Sequence, residues 1–419
     1  MHDFEYRNGE LYCEKVRVQD IAGRVGTPFY LYSYKTFTDH FLKIKKAFEP
    51  VKPLICFAMK ANGNLAVLRA LVQKGAGLDI VSGGELFKAR KAGCPGARIV
   101  YAGVGKTDQE IADAIRANIL LFNVESIPEL ENIQRVAHQL KRRVNVSLRI
   151  NPGIDPHTHD YIATGKSESK FGIDLDTAHL TFMRSMRYPN VSICGLHVHI
   201  GSQITDGEPF VKAFRKVLIF VTSLEKEGHR IQYLNLGGGL GIIYSDEKPQ
   251  TAAEFAKKVL PLFKGRRYKL IFEPGRFIAG NGGLFVTKVL YIKQAASKHY
   301  AIVDGGMNDL LRPALYGAYH EILPLTKATM GKVQKYDLVG PICESGDFLA
   351  TNRKIQSLRS GDAVGLLGAG AYGFTMSSQY NARPRVAEVL VKGNRFDIVR
   401  ERETYQDLIQ RERVPAYLK

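Results

Sequence analysis

PLICFAMKANGNLAVLRALVQKG, residues 53–75, holds one complete repeat of the fold. Its first part, PLICFA (53–58), is too short for a helix and apolar without strict alternation, as expected of a parallel strand buried on both faces. Its last part, NLAVLRALVQKG (64–75), spaces its apolar residues at helical periodicity. Between the two, FAMKAN (57–62) sets Lys60 directly after the strand. The pattern then recurs at LDIV (78–81), RIVYA (98–102), LLFNV (120–124), NVSLRI (145–150), ICGLHVHI (193–200), YLNL (233–236) and YKLIF (268–272). Eight strand–helix alternations close into a (β/α)8 TIM-type barrel, whose active site lies just beyond the C-terminal ends of the strands. Those positions here read Lys60, Ser82, Lys106, Glu125, Arg149, His199, Gly237 to Gly239, and Glu273.

After Glu273 the character changes. GLFVTKVLYIKQ (283–294), HYAIVDGG (299–306), YDLVGPIC (336–343), DAVGLLGAGAY (362–372) and RVAEVLVKGNRFDIV (385–399) are glycine-punctuated and rich in β-branched residues, predicting a second, mostly antiparallel β-domain. LYCEKVRV (11–18) and TPFYLYSY (27–34) are also strand-like and are expected to join it. The expected division is therefore 1–35 as an N-terminal segment of the β-domain, 36–275 as the barrel, and 276–419 as the C-terminal β-domain.

A chain of 419 residues with 45% hydrophobic content has room for both, since such a barrel takes roughly 250 residues. The charged start MHDFEYRNGE (1–10) has no apolar signal-peptide core, and no run reaches the ~18 apolar residues of a membrane span, so a cytoplasmic protein without a membrane partner is expected. Five cysteines without CxxC spacing suggest neither a disulfide framework nor a zinc site. The net charge of +18 raises nucleic-acid binding, but the lysines and arginines are scattered through helical stretches such as AEFAKKVLPLFKGRRYK (253–269), with no basic tail and no nucleic-acid signature. Solvated helix faces account for it, and no specific nucleic-acid partner is expected.

Five motifs carry chemistry. Lys60 in FAMKAN, if partly desolvated in a barrel mouth, has the neutral amine that forms a Schiff base with an aldehyde cofactor; its plain alternative is a solvated boundary residue. In HVHIGSQ (197–203), His197 and His199 share a strand face. They could ligate a metal, but no third ligand is obvious, and His159 in THDY (158–161) has no paired cysteine or carboxylate cluster; a flat His199 stacked on an aromatic cofactor, with Ser202 on a phosphate, serves as well, and the plain alternative is two hydrogen-bonded barrel histidines. NLGGGLG (235–241) lets backbone N–H groups approach an anion, or is a tight turn. FEPGR (272–276) offers Glu273 as an acid, a base or a partner to a ring nitrogen, with Gly275 and Arg276 for an anion; with Glu125 or Asp79 opposite, Glu273 would equally suit a glycosidase. In ICESGD (342–347), the acidic neighbours of Cys343 are expected to favour its protonated form, suiting it to donate a proton.

Together these motifs resemble the fold-type III pyridoxal-phosphate enzymes, which include alanine racemase and the ornithine and diaminopimelate decarboxylases. THDYIATGKSESKFG (158–172), RPALY (312–316), ICESGD and GAYGFTMSSQYNARPR (370–385) make the diaminopimelate decarboxylase family the nearest branch, over almost the whole chain. The resemblance implies an alanine racemase-like architecture, with pyridoxal 5′-phosphate on Lys60, His199 stacked on the ring and Glu273 at its nitrogen. It implies phosphate and cofactor contacts from Ser202, Gly237, Gly238, Gly239, Pro274, Gly275, Arg276 and Tyr372. Substrate contacts fall to Arg276, Arg312, Tyr316, Glu344 and Tyr372, and Cys343 becomes a proton donor reaching the site from a second subunit of a homodimer. No metal is implied. The reaction implied is decarboxylation of meso-2,6-diaminopimelate to L-lysine, the last step of lysine biosynthesis. The rivals are a decarboxylase of ornithine, lysine or arginine, against which Arg312 speaks; a racemase; and a catalytically silent regulator, against which Lys60, Glu273 and Cys343 speak.

Overall fold

Eight parallel strands close on themselves in the computed structural model, which describes residues 2–154, 170–327 and 332–418. They are β1 (Leu54–Ala58), β2 (Gly77–Ile80), β3 (Ile99–Tyr101), β4 (Leu121–Val124), β5 (Val144–Arg149), β6 (Val191–His197), β7 (Tyr233–Asn235) and β8 (Lys269–Phe272). Each pairs with its sequence neighbours, and β8 closes the ring on β1 through Ile271 opposite Leu54 and Phe272 opposite Ile55. Polar residues just past the strands start several of the helices. Asn64, Ser82, Thr107, Ser126 and Thr251 each accept a hydrogen bond from a first-turn N–H, and Thr107 and Thr251 complete reciprocal capping boxes with Glu110 and Glu254. Ser82, expected among the rim residues, thus serves its own helix. The eighth alternation is truncated: β8 leads into a helix of four residues, Arg276–Ala279, which stops at the glycine-containing turn Gly280–Gly282.

Inside the barrel, Cys56, Val100, Leu121, Cys194 and Ile271 form an apolar layer. Burying each aliphatic side chain of this layer contributes roughly 1.5–3 kcal/mol. Polar side chains, Asp79, Asn123, Ser147, His197, Asn235 and Glu273, are buried on the barrel strands or just beyond them. A polar cluster is tolerated there only if its members satisfy one another.

The chain divides into two units. One comprises residues 38–243 and 247–278 and holds the barrel; the other comprises 1–37, 244–246 and 279–419. In the second, a mostly antiparallel sheet runs in the order Phe348–Gln356, Val333–Val339, Lys298–Val303, Gly283–Ala295, Phe29–Ser33, Ala387–Lys392 and Arg395–Arg400. Ala363–Leu367 also pairs with Gly283–Ala295, and Ile322–Pro324 pairs with Ala363–Leu367. The early strand Phe29–Ser33 lies between Gly283–Ala295, antiparallel, and Ala387–Lys392, parallel. Alternate residues of these strands, Phe29, Leu31, Leu284, Val286, Val389 and Val391 among them, share one core. Among the described residues no helix is long and apolar enough to cross a membrane. Residues 158–169, most of the THDYIATGKSESKFG stretch and including His159, lie outside the described residues.

Candidate active site

Glu273 is a buried carboxylate at the end of β8 with both oxygens engaged. It is 7% exposed. Its Oε1 accepts from Asn123 Nδ2 at 3.0 Å and from Asn235 Nδ2 at 2.5 Å, and its Oε2 lies 3.1 Å from His197 Nε2. Ser147 in turn donates to Asn123 Oδ1 at 2.5 Å, which orients that amide. Burial alone would push the Glu273 carboxyl up, but His197, the Asn235 amide and the positive charge of Lys60 reverse this and hold it at about 2. The site therefore holds a fixed negative charge.

Lys60 stands in the one-turn 3-10 helix Met59–Ala61 that follows β1, with its side chain 44% exposed and its Nζ 3.9 Å from Asp79 Oδ2. Burial, and then the nearby Glu273 charge, push the Asp79 carboxyl well above the usual carboxylate range. Its Oδ1 has no hydrogen-bond partner among the described residues. Two neighbouring carboxyls are thus driven in opposite directions, a property characteristic of acid–base sites.

His199 lies beyond the end of β6, and its Nδ1 accepts the Gly238 N–H at 3.2 Å. Burial, with Arg149 and Lys60 nearby, lowers its pKa well below the ordinary imidazole range, so the ring is neutral. His197 and His199 serve different partners, Glu273 and Gly238, and so do not converge as the paired ligands considered from sequence. The glycine run presses against its surroundings: a Cβ on Gly238 would fall 2.2 Å from Glu273 O, and one on Gly239, whose φ is +109°, would fall 2.4 Å from Gly201 O. Arg276 opens the helix after β8, and its Nη2 and Nε donate to Ser202 Oγ at 3.1 and 3.3 Å. Pro274 O accepts from Ala58 N, and Gly275 sits where a Cβ would meet Ala58 and Ala61 at 3.1 Å.

Other rim residues are consumed structurally. Glu125 forms a buried ion pair with Arg149 at 2.8 Å and also accepts from the N–H groups of Gly103 and Gly172, so it is engaged rather than poised opposite Glu273 as a glycosidase would need. Lys106 is held by Glu129 at 2.6 Å and by two carbonyls.

The remaining candidates belong to the β unit. Arg312 and Tyr316 begin and end one short helix, Arg312–Tyr316. The Arg312 guanidinium lies 4.5 Å above the Tyr244 ring, and its Nη1 is 2.9 Å from His320 Nε2. Since His320 Nδ1 is 2.6 Å from the Leu367 carbonyl, Nδ1 carries the hydrogen and Nε2 accepts from Arg312. The Cys343 N–H donates to Asn381 Oδ1, Tyr380 OH donates to Glu344 Oε2 at 2.7 Å, and Asp347 anchors the loop by accepting from Met307 and Ile342 N–H groups. Cys343 is the exposed cysteine of the five; the other four are buried and free. Tyr372 adopts φ +56°, a strained backbone for a side-chain-bearing residue.

Sequence reasoning left Asn123, Ser147 and Asn235 out of the site. Their signal was an amide or hydroxyl within the runs LLFNV, NVSLRI and YLNL.

A family model for the pyridoxal-dependent decarboxylase pyridoxal-binding domain matches residues 34–280. A diaminopimelate decarboxylase of Aquifex aeolicus is 47% identical over 410 residues, covering 97% of this chain and 96% of that protein. This chain belongs to the diaminopimelate decarboxylase family. It is a pyridoxal 5′-phosphate-dependent carboxy-lyase with the (β/α)8 barrel and β-domain of that family. The crystal structure of the family member from M. jannaschii superposes with a TM-score of 0.95 at 37% identity, covering 100% of this chain and 99% of that one. A family member from Helicobacter pylori, solved in complex with L-lysine, matches with a TM-score of 0.90 at 39% identity over 94% of this chain and 98% of that one.

Proposed function

We propose that this chain removes one carboxylate of meso-2,6-diaminopimelate to give L-lysine and carbon dioxide, with Lys60 as the residue that carries the cofactor. The observation that carries the residue assignment is the buried Glu273, kept ionised by His197, Asn123 and Asn235. A carboxylate so arranged is suited to hold a proton on a ring nitrogen. The other residues fit the same group. Gly237 to Gly239 let their loop pack directly on Val198, Glu273 and Gly201, which places it beside the barrel end where a phosphate would sit, and Ser202 with Arg276 adds a hydroxyl and a guanidinium. His199 offers a neutral, flat ring fixed by Gly238. Pro274, Gly275 and Tyr372 complete the cofactor contacts.

Pyridoxal phosphate, once bound, supplies the electron-withdrawing ring that accepts the electron pair left as carbon dioxide departs. The protein's part is orientation and proton management. Glu273 would hold a proton at the ring nitrogen, and Lys60, on a side chain 44% exposed, would hold the cofactor's aldehyde carbon through its amine. One proton must replace the lost carboxylate, and Cys343 delivers it. The substrate's far end bears both a carboxylate and an ammonium. Arg276 and Arg312 take the first, Arg312 already aligned by His320; Glu344 takes the second, with Tyr316 and Tyr372 alongside. We assign Cys343 and Glu344 to the site of the partner subunit in a homodimer, and the enzyme to the cytoplasm, where its free cysteines stay reduced.

Carbon dioxide release measured across meso-diaminopimelate, lysine, ornithine and arginine tests the substrate. Release from diaminopimelate alone is expected. Comparable release from ornithine or arginine would overturn the assignment of Arg312.

A further inference from the structure

Arg312 opens a helix of five residues, after which the chain doubles back towards it. Gly317, in the left-handed region at φ +60°, ends the helix with its N–H on the Arg312 carbonyl, and the Ala318 N–H reaches the same carbonyl at 3.3 Å. The reversal returns His320 to the Arg312 side chain, where its Nε2 accepts from Nη1 at 2.9 Å. His320 has no exposed surface and Arg312 is 6% exposed.

A second hydrogen bond gives this contact its direction. At the end of strand Ala363–Leu367, the Leu367 N–H donates to the Glu321 carbonyl and the Leu367 carbonyl accepts the His320 Nδ1–H at 2.6 Å. With the hydrogen committed to Nδ1, the ring offers Arg312 a lone pair and nothing else. The guanidinium also lies 4.5 Å from the centre of the Tyr244 ring, and that ring meets His320 edge to face at 5.7 Å and 79°. Gly368 makes room for it: at φ +71°, it leaves open a place where a Cβ would fall 3.0 Å from the Tyr244 ring. Arg312, His320 and Tyr244 thus each pack on the other two, and all three belong to the β unit.

An arginine side chain turns about several bonds, and a carboxylate that binds it has to arrest them. A hydrogen bond to one Nη and an aromatic ring against the guanidinium arrest them beforehand, which lowers the entropic cost of binding the carboxylate. The same arrangement does nothing for a ligand that brings no carboxylate.

We propose that His320 and Tyr244 are positioning residues that set the preference of this enzyme for a substrate with a carboxylate at its far end, by holding the Arg312 guanidinium in place before that substrate arrives. This role presupposes the assignment of Arg312 to the distal carboxylate, and it is exerted through Arg312 alone. A histidine that merely completed the packing of the β unit would affect all ligands alike.

Two ligands of the holoenzyme separate these cases: L-lysine, which carries the carboxylate, and cadaverine, the same diamine chain without it. Binding of each is measured by calorimetry, alongside diaminopimelate kinetics, for the parent, His320→Gln, His320→Asn, Tyr244→Leu and Arg312→Met. Gln can set its amide oxygen where Nε2 accepts, whereas Asn can keep the donor to Leu367 but is too short to reach Arg312. His320→Asn and Tyr244→Leu should each weaken L-lysine about tenfold and raise KM for diaminopimelate as much, with kcat within about threefold and cadaverine binding unchanged. His320→Gln should stay within about threefold of the parent throughout. Combined with Arg312→Met, His320→Asn should have no further effect, because a residue that acts through Arg312 then has nothing to align.

The role is overturned if His320→Asn and Tyr244→Leu weaken L-lysine and cadaverine equally, if Gln is as damaging as Asn, or if the effects of His320→Asn and Arg312→Met add. Should His320→Asn fail to fold, Tyr244→Leu, at a partly exposed position, decides. If Arg312→Met weakens L-lysine while His320→Asn and Tyr244→Leu do not, the positioning role alone falls. If Arg312→Met leaves L-lysine binding unchanged, the assignment of Arg312 to the substrate falls and takes the role with it.

Discussion

Replacing Glu273 by Gln keeps the size and polarity of the side chain and removes its charge. The pocket holds this carboxyl at about 2 against an ordinary 4.5. That difference is worth roughly 3 kcal/mol in favour of the ionised form. If the charge is what keeps a proton on the cofactor ring, kcat in Glu273→Gln should fall about a hundredfold, with KM far less affected. The same energy appears in stability. Because the folded-state pKa is depressed, the stabilisation is fully present above about pH 4.5 and is lost as pH falls towards 2. The stability advantage of the parent over the variant, followed by denaturant melts from pH 6 to pH 3, should therefore shrink on acidification. A variant with kcat within threefold of the parent, or a stability difference that does not change with pH, would refute the reasoning that Glu273 works as a buried anion.

Borohydride reduction of the holoenzyme should fix the cofactor on the peptide containing Lys60, and a label on any other lysine would remove it from its role. Arg312→Ala should raise KM for diaminopimelate roughly ten- to hundredfold through loss of a charge-assisted hydrogen bond, and unchanged kinetics would take this residue out of the substrate site. Gly238→Ala, which puts a Cβ 2.2 Å from the Glu273 carbonyl, should lower cofactor content measured by the ratio of visible to ultraviolet absorbance. Lys60→Ala and Cys343→Ala, each inactive, should recover about a quarter of parent activity once their subunits exchange, since half the dimers are then mixed with one intact site; no recovery after verified exchange would place both residues in the same chain's site.

The barrel was legible because parallel strands buried on both faces leave unbroken apolar runs. LLFNV and YLNL mark β4 and β7 to within a residue at each end. ICGLHVHI marks β6 less well: the strand begins at Val191 and ends at His197, because His199 departs to meet the glycine loop. The edge strand Phe348–Gln356 was not anticipated, since TNRKIQ is largely solvent-facing and carries no periodic apolar signal. At the site, residues that end a strand in a charge or a glycine were visible, as Lys60, Glu273 and Gly237 to Gly239 show. The amides were not, because Asn123 and Asn235 read as flaws in an apolar run until Glu273 is seen to need both of them. His197 was visible with its role left open between a metal ligand and a hydrogen-bonded barrel histidine, and its ring serves one carboxylate.

The place of Phe29–Ser33 within its sheet has a consequence for the nascent chain. Its partners are Gly283–Ala295 and Ala387–Lys392, so this aromatic segment leaves the ribosome long before either exists. At about 5–20 residues per second the nearer partner follows only after ~10–50 s. Throughout that interval FYLYS is a strand without a sheet, and chaperone capture of the growing chain is expected to concentrate there.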